Sequence, residues 1–380
     1  MKQQTNEKQG KLIWKAILVL IPTLILSVTV VPWYGFAYGY KAWDWFWFAF
    51  FMIATGLSIT AGYHRLWSHR AYKAKWPLKI FFLIFGTAAL QNSVLQWASD
   101  HRKHHRHCDD EEKDPYGITR GFWHAHLIWM LKEHSSGVDD LSDVKDLTED
   151  KWLVFQDKYY GLLAAFFGFF LPLIIGSFYG SAWGCFLLAG ILRMTLNHHF
   201  TFFINSAAHY FGKRPFNDGN TARDNPLLSL VTYGEGYHNF HHKFGGDYRN
   251  GIHWYDFDPS KWIISSVKYI GWTYDLKRTP KEIIEHAKLK RQYQEIQAQP
   301  SFIAKTAHGI SDGYHALERQ YHQLADAIGQ WAKAKREWLK AKQENLSQAH
   351  ALELKQKVRH LKRMMKSEKR RWRQAVALHA

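Results

Sequence analysis

Hydrophobic residues along the chain fall into four long runs that are separated by strongly polar stretches, at about 12–32, 43–62, 160–177 and 182–204. Each run approaches the roughly 20 apolar residues that a helix needs to cross a bilayer core. A fifth run, Ile80–Leu90, is too short to span and predicts a buried or membrane-hugging helix. The pattern therefore predicts an all-α integral membrane protein with four transmembrane helices.

Short connections join these predicted spans into two hairpins. Residues 33–41 join the first two, and a few residues around Gly180 join the last two. The N-terminus, the segment between spans two and three, and everything after span four then share one side of the membrane. Lys and Arg are concentrated in those segments, and such a bias marks the cytoplasmic side. We therefore expect a multi-pass protein with both termini in the cytoplasm.

Composition separates the C-terminal quarter from the rest. The chain has a formal net charge of +17, and residues 281–380 contribute 21 Lys or Arg against 10 Asp or Glu. We therefore predict a membrane domain over 1–280 and a basic helical extension over 281–380, with strong helix formers at 331–343 and 351–375. A solvated appendage is the main interpretation, and contact with an anionic membrane surface is the alternative. Because the charge is concentrated in this segment, nucleic acid is not an expected partner.

Histidine provides the strongest chemical signal, with 23 residues in the chain. Three short boxes and one isolated residue stand out near the ends of the predicted spans on the cytoplasmic side. These nine candidate metal ligands are His64 and His69, then His101, His104 and His105, then His209, and finally His238, His241 and His242.

Spacing gives these boxes a geometric meaning. Positions i, i+3 and i+4 share one face of an α-helix, so each HxxHH box directs three imidazoles toward one point. Asn205 and His209 share a face by the same rule. The HxxxxH spacing of the first box does not, and it predicts a helix that ends near His64 with a turn that brings His69 back. Nine ligands suit two metal ions with four or five protein ligands each.

The spacing alone does not identify the metal. Imidazole binds iron, copper, zinc and nickel, whereas structural zinc favours cysteine. Only Cys108 and Cys185 are present, so neither a cysteine-based zinc site nor a disulfide framework is expected. Asp100 and Glu235 are candidates to accept hydrogen bonds from the N–H groups of ligand imidazoles.

Other histidines are expected to have structural roles. His107 lies outside the i, i+3, i+4 set, and His124, His126 and His134 stand outside the boxes. His198 lies eleven residues before His209, about 16 Å away along a helix, which is too far for a shared metal ion. We expect packing or polar contacts for it and for His199.

Four stretches of the chain resemble the membrane fatty acid desaturases, in particular the stearoyl-CoA (Δ9) acyl-CoA desaturase branch, in its bacterial type. They are GYHRLWSHRAYKA (62–74), QNSVLQWASDHRKHHRH (91–107), INSAAHYFGKRPF (204–216) and GEGYHNFHHKF (234–244). The resemblance covers about 12–275 and implies a four-span bundle with a cytosolic helical cap, two Fe²⁺ ions held by the nine histidines, and Asn205 in contact with one iron through water.

The resemblance further implies an O2-dependent enzyme that introduces a cis double bond, of Δ9 type, into a saturated acyl-CoA. Asn92 and Asp100 match substrate-contacting positions. Ser99 replaces an Arg that the animal acyl-CoA enzymes carry, and Lys132-Glu133 replaces an Arg-Lys pair, so an acyl chain on a phospholipid is the alternative substrate. The HPGG motif of a fused cytochrome b5 is absent. A separate electron donor is therefore expected, such as ferredoxin or cytochrome b5 with a reductase.

Two other classes of function share some of these features. A membrane hydroxylase or alkane monooxygenase uses similar histidine boxes and differs in yielding an alcohol. A metal transporter or sensor needs polar residues along the spans, and this chain offers few besides His198 and His199.

Overall fold

A computed structural model describes residues 10–133, 141–300, 311–344 and 347–377. The chain forms two compact units, and each is described separately below. The first comprises Met1–Arg214 and Gly219–Arg278, and the second comprises Pro215–Asp218 and Thr279–Ala380. Helices dominate both units. The one described sheet is the antiparallel pair of two-residue strands, Lys73–Ala74 and Thr273–Tyr274.

Among the described residues, three helices are long and apolar enough to cross a membrane: Trp14–Ala37, Ala42–Ser68 and Tyr160–Ser177. They coincide with the first three predicted spans. The first consists of Trp14–Val28 and Val30–Ala37, and the third of Tyr160–Ala165, Phe166–Phe170 and Leu171–Ser177. The predicted short apolar helix is confirmed as Trp76–Ala88, which has 13 residues.

The fourth predicted span is also helical, through Ala182–Cys185, Phe186–Leu192 and Arg193–Asn205. It is not among the three helices that qualify by length and hydropathy. Arg193, Asn197 and the two neighbouring histidines make its second half polar. A fourth membrane crossing therefore stays a prediction.

The second apolar helix changes its winding before it reaches the histidines. Residues Ala42–Leu57 are α-helical, and Ser58–Ser68 continue as a π-helix. The N–H of His69 donates to the carbonyl of His64 at 3.0 Å, a bond that spans five residues. The prediction that the helix ends near His64 is therefore wrong. The i→i+5 hydrogen bonds of a π-helix bring residues five apart closer to one side than an α-helix does, and the rings of His64 and His69 have centroids 4.8 Å apart, which accounts for the HxxxxH spacing.

The two predicted hairpin connections lie side by side in the first unit. The Lys41 ammonium donates to the carbonyls of Tyr179 and Gly180 at 2.8 and 2.9 Å. The buried Asp44 carboxylate accepts hydrogen bonds from the hydroxyls of Tyr179 and Ser181, both at 2.8 Å. The helices that begin at Ala42 and Ala182 therefore start at the same end of the unit.

The remaining helices of the first unit lie between and after these segments. The helices of more than three residues are Val94–His107, His124–Ile128, Leu141–Val144, Lys145–Thr148, Lys151–Lys158, Ala207–Tyr210, Pro226–Val231, His238–Lys243 and Pro259–Ser266. Two three-residue helices, Ile118–Arg120 and Trp129–Leu131, are also present among the described residues of this unit.

The described residues of the second unit form three helices: Lys281–Gln297, Ser311–Gln343 and Gln348–Ala377. The last two are antiparallel, since Tyr321 contacts Trp372 and Glu337 pairs with Lys357. Helix was predicted here, and the helical spacing of Leu352, Leu354, Val358 and Leu361 favours amphipathic helices or a short coiled coil; the residues buried in the core were not predicted. The apolar residues buried together are Leu289, Tyr293, Ile296, Leu317, Leu324, Ile328, Trp331, Met365 and Trp372.

Candidate metal centre

The nine predicted ligands are carried by five segments of the first unit. His64 lies in the π-helix and His69 directly follows it. The Val94–His107 helix carries three, the short Ala207–Tyr210 helix carries His209, and the His238–Lys243 helix carries the last three. Each HxxHH box lies on one helix, as its i, i+3, i+4 spacing predicted.

The structure gathers the nine imidazoles into two groups whose possible ligand atoms lie within 4.8 Å of one another. The first group contains five residues: His64, His69, His101, His105 and His241. The second contains four: His104, His209, His238 and His242. The HxxHH boxes are divided between the groups, so each box helix contributes to both.

The Nε2 atoms of all nine rings face inward. In the five-membered group the Nε2–Nε2 distances are 2.7 Å for His69–His101, 3.0 Å for His64–His241 and 2.9 Å for His105–His241. In the four-membered group they are 3.1 Å for His209–His238, 3.1 Å for His238–His242 and 3.3 Å for His104–His242.

Hydrogen-bond acceptors outside the two groups determine which ring nitrogen of His64 and of His104 carries the proton. Nδ1 of His64 lies 3.0 Å from the Glu235 carboxylate, and Nδ1 of His104 lies 2.9 Å from the Asp114 carboxylate. A neutral imidazole that donates from Nδ1 presents a lone pair at Nε2. Nε2 of His64 and Nε2 of His104 are therefore electron-pair donors without protons, and each repels the lone pair of an unprotonated neighbour unless a cation lies between them.

The donor spacing fits a metal ion. Imidazole nitrogens bind first-row metals at about 2.0–2.1 Å. Two such nitrogens at right angles around one ion are therefore about 3 Å apart, which is the separation found in both groups. Five and four neutral nitrogen donors thus fit two ions of the imidazole-binding kind.

Burial keeps these rings neutral. Burial, followed by the like charge of neighbouring imidazoles, holds the pKa of His101 and of His241 well below the ordinary value of 6.5. The pKa of His209 falls to about 3 for the same two reasons, with His104 as the neighbour. Neutral imidazole is the form that binds metals, so the site needs no deprotonation at pH 7.

A buried ion-pair network holds the Glu235 carboxylate. Arg65 donates to Glu235 at 2.8 Å and to Asp258 at 3.0 Å, and Asn250 donates to Glu235 at 2.6 Å. Burial alone would raise the pKa of Glu235, but the charge of Arg65 and the hydrogen bonds from Arg65 and His64 outweigh it, and the pKa falls to about 2. Glu235 is therefore an anion beside the five-membered group.

Two carboxyl groups, those of Asp114 and Asp109, lie next to the four-membered group. Burial opposes ionisation of Asp114, but His104 and the backbone N–H groups of Asp109 and Tyr116 lower its pKa. Asp109 accepts from the hydroxyl of Thr221 at 2.7 Å, and that hydroxyl lies 2.8 Å from Nδ1 of His209. This group thus also has carboxyl groups on its outer side, one in direct contact with His104 and one linked to His209 through Thr221.

Sequence reasoning identified Glu235 but missed Asp114, Asp109 and Thr221. Asp114 and Thr221 lie ten and twelve residues from the histidines they contact, in segments with no periodic pattern. An acidic stretch directly after a histidine box was the one available signal. Asp100, the other carboxylate considered, lies on the same helix as His101.

Asn205 is the last residue of its helix, and a new helix begins at Ala207. The expectation that Asn205 and His209 share one continuous helical face is therefore wrong. Ser206 interrupts the helix with φ −99° and ψ −70°, and its hydroxyl bonds to the carbonyl of Phe202. A water-mediated contact between Asn205 and a metal stays a prediction.

The other histidines lie outside both groups where they are described. Nε2 of His198 contacts the carbonyl of Ala89 at 2.9 Å, which is the polar contact expected for it. His126 lies 3.1 Å from His199, and His124 lies 3.2 Å from Arg120. His107 belongs to neither group. His134 lies outside the described residues.

The predicted substrate positions are in the first unit. Asn92 is exposed and has φ 82°, and its N–H donates to the Tyr160 hydroxyl at 2.9 Å. Ser99 is buried at 2% exposure, so it does not present a charged or accessible group where the animal enzymes have Arg. The backbone N–H of Glu133 donates to the carbonyl of Lys11. Substrate contacts by Asn92 and Asp100 stay predictions.

Comparison with known proteins bears on this histidine arrangement. The family model described as "Fatty acid desaturase" matches residues 42–275, which include all nine histidines. The chain belongs to the fatty acid desaturase family.

Individual relatives agree with that assignment. The chain is 45% identical over 248 residues to "Acyl-CoA desaturase 1" of Saccharomyces cerevisiae, covering 65% of this chain and 48% of that protein. It is 41% identical over 274 residues to "Probable acyl-CoA desaturase" of Schizosaccharomyces pombe, covering 72% and 57%. It is 40% identical over 255 residues to a delta(9)-fatty-acid desaturase of Caenorhabditis elegans, covering 64% and 74%. The chain thus spans about half the length of the two yeast relatives.

Proposed function

We propose that this protein is an O2-dependent desaturase that introduces a cis double bond, of Δ9 type, into a saturated fatty acyl-CoA. The observation that carries the proposal is the convergence of nine inward-facing Nε2 atoms in groups of five and four. Two relatives named as acyl-CoA desaturases and one named as a delta(9) desaturase support the substrate class and the bond position. The three relatives are eukaryotic, so the bacterial type stays a prediction from sequence.

The nine histidines would hold two Fe²⁺ ions. Bound iron supplies the oxidising power, derived from O2, that removes hydrogen from an unactivated methylene, which no side chain can do alone. In the overall reaction, two C–H bonds on adjacent carbons are broken and a C=C bond forms. The O2 accepts those two hydrogens together with two further electrons and two protons, and leaves as two waters. The two electrons come from a separate donor protein.

The protein's own contribution is to hold neutral donors in place. Glu235 and Asp114 orient His64 and His104 through Nδ1 and supply negative charge close to the two ion positions. Burial excludes water from the inward-facing nitrogens, since His101, His104, His209, His238 and His241 are all buried.

We further propose four membrane spans, with the histidines and both termini on the cytoplasmic side. Contacts of the Arg193–Asn205 helix support the fourth span. Its Asn197 side chain donates to the carbonyl of Met52 at 3.2 Å and to the Thr55 hydroxyl at 2.6 Å, halfway along the second span. The start of the segment beside Lys41 and Asp44 agrees with a helix that runs parallel to that span.

Expression in a desaturase-deficient host, followed by mass spectrometry of the acyl-CoA and lipid pools, tests the activity. We expect a new monounsaturated acyl-CoA that depends on O2. An alcohol in place of the alkene would support a hydroxylase and contradict the proposal. Unsaturation that arises first on phospholipid would assign the substrate to the acyl-lipid class.

A matched pair of variants ties that activity to the histidines. His241→Ala removes a ring that contacts both His64 and His105, and we expect it to abolish product. His107→Ala removes a histidine outside both groups, and we expect it to retain product. Full activity of His241→Ala would overturn the assignment of the site.

A further inference from the structure

The last helix of the second unit, Gln348–Ala377, is far more positive than its neighbours. It carries ten Lys or Arg and two Glu, whereas Ser311–Gln343 carries six Lys or Arg and four Asp or Glu. The charge excess of the second unit is therefore concentrated on one helix.

Six of these cations lie on a single face, which we call the cationic stripe. They are Lys355, Arg359, Lys362, Lys366, Arg370 and Arg373. Successive members are three or four positions apart, so they follow one line along the helix. All six are exposed. From Lys355 to Arg373 the line advances eighteen positions, or about 27 Å at the rise of an α-helix.

Packing within the second unit fixes the direction in which this face points. Met365 and Trp372 of the same helix are buried, at 4% and 2% exposure. The Trp372 indole N–H donates to the Gln292 side chain at 3.1 Å, and its ring contacts Tyr293. These anchors are on another face, so the helix cannot rotate to bury the stripe without losing its core.

The stripe has no compensating charge among the described residues. The two acidic residues of the helix lie on other faces, and Glu368 pairs with Arg371 while Glu353 lies near His350. Lys369 and Lys357, which are outside the stripe, pair with Glu285 and Glu337. These four acidic groups thus pair elsewhere, and the six stripe cations are available to an anionic partner.

The side-chain types of the cationic stripe and their arrangement in a line distinguish between nucleic acid and lipid as anionic partners. Its six members are long, flexible and aliphatic up to the charge, with no aromatic ring on which a nucleic acid base could stack. A straight line of such side chains matches a flat surface of lipid phosphates. The same chain has helices that can cross a membrane, so the stripe is tethered near that surface at high effective concentration.

We propose that the cationic stripe binds the surface of a bilayer that contains anionic lipids. Each Lys or Arg near such a surface strengthens the attraction about fivefold, and the attraction decays within a Debye length. The contact is electrostatic and is released by salt. It does not depend on the proposed enzymatic activity.

Lysine footprinting of the full-length protein tests this contact. The protein is reconstituted in nanodiscs of phosphatidylcholine alone or with about one-third phosphatidylglycerol, then briefly acylated and analysed by peptide mass spectrometry. We expect Lys355, Lys362 and Lys366 to react at least about threefold more slowly in the anionic discs, with recovery in 0.5 M salt, where the Debye length is below about 5 Å. Lys333 and Lys340, exposed on the preceding helix, should react equally in both lipids.

Two triple variants make the test specific. Arg359→Gln, Arg370→Gln and Arg373→Gln together remove half of the stripe, and the three stripe lysines should lose their protection. Lys333→Gln, Arg336→Gln and Lys340→Gln together remove equal charge off the stripe, and protection should remain. Equal stripe reactivity in the two lipids would overturn the proposal. Protection in neutral discs upon addition of a soluble acidic protein, without an effect of anionic lipid, would assign the stripe to a protein partner instead.

Discussion

The Nδ1 atom of His64 lies 3.0 Å from Oε2 of Glu235, and both side chains are buried. This contact joins the five-membered histidine group to an ion pair between Glu235 and Arg65, which lies next to His64 in the chain. The carboxylate thus has two functions, since it orients a candidate metal ligand and neutralises a buried guanidinium. Both functions can be measured separately.

Glu235→Gln keeps the size of the side chain and removes its charge. Loss of the anion behind His64 should weaken iron binding about 10–100-fold. Loss of one of the two carboxylates that pair with buried Arg65 should also lower the free energy of unfolding, by about 1–3 kcal/mol, since Asp258 remains. Iron retention against a chelator series measures the first effect, and thermal unfolding in detergent measures the second. Glu353→Gln, at an exposed position, should change neither; unchanged iron retention in Glu235→Gln would contradict the assigned role.

Asp114→Asn makes the equivalent change at the four-membered group. Because Asp114 contacts His104 and not His64, we expect iron to be lost first from the four-membered group. The iron content should then fall from two atoms per chain toward one. Asp110→Asn, four residues earlier and partly exposed, changes a carboxylate that accepts from the backbone N–H groups of Glu112 and Lys113; it is the matched control and should keep two iron atoms. Simultaneous loss of both irons in Asp114→Asn would show that the groups do not bind independently.

The stability of the iron-free protein should depend on pH in one direction. Burial and neighbouring imidazoles hold seven histidine pKa values below the ordinary value: those of His69, His101, His105, His209, His238, His241 and His242. Unfolded histidines titrate near 6.5. Below that pH the unfolded chain therefore binds more protons than the folded one, and the free energy of unfolding falls as pH decreases.

Thermal unfolding of chelator-treated protein between pH 8.5 and 5.5 measures this dependence. We expect a constant midpoint above about pH 7.5 and a progressive fall below 6.5. Replacement of the exposed His350 and His360 by Gln should leave the profile unchanged. A midpoint that rises as the pH falls would contradict the burial of neutral imidazoles.

Local geometry explains what the sequence could predict. The two HxxHH boxes were placed correctly on single helices because i, i+3 and i+4 share a face on any regular helix. The expectation that each box directs its three imidazoles toward one point was wrong, since each box is divided between the two groups. The first box was misread because His64 lies in a π-helix and His69 directly follows it. No residue type in Ser58–Ser68 predicts that winding. Asn205 and His209 were misread because the helix breaks at Ser206, where a serine hydroxyl bonds back to the carbonyl of Phe202.

Contacts between distant segments could not be predicted from spacing. Glu235 was identified because it adjoins a histidine box, whereas Asp114 and Thr221 come from segments without helical periodicity. The core of the second unit was also missed. Trp331 and Trp372 lie in helices rich in Lys and Arg. The apolar residues of these helices form only a narrow face, so the composition of the segment does not indicate a core.

Buried Arg193 is a further contact between distant segments with a measurable consequence. Its guanidinium donates to the carbonyls of Ala88, Gly168 and Ala189 at 2.7, 3.2 and 2.9 Å, which joins three helices. Arg193→Lys keeps the charge but cannot reach three carbonyls in a fixed plane. We expect the free energy of unfolding to fall by about 2–4 kcal/mol. Arg336→Lys, which is exposed, should have no effect, and equal stability of the two variants would refute the role of Arg193.

Metal analysis of purified, active protein tests the central claim, that nine histidines hold two iron ions. The same preparation should be assayed for desaturation and for iron, zinc, copper and nickel by mass spectrometry. The two groups of donors predict two iron atoms per chain, with activity proportional to iron content. Full activity in protein that contains zinc alone, or no more than one iron per chain, would contradict the account.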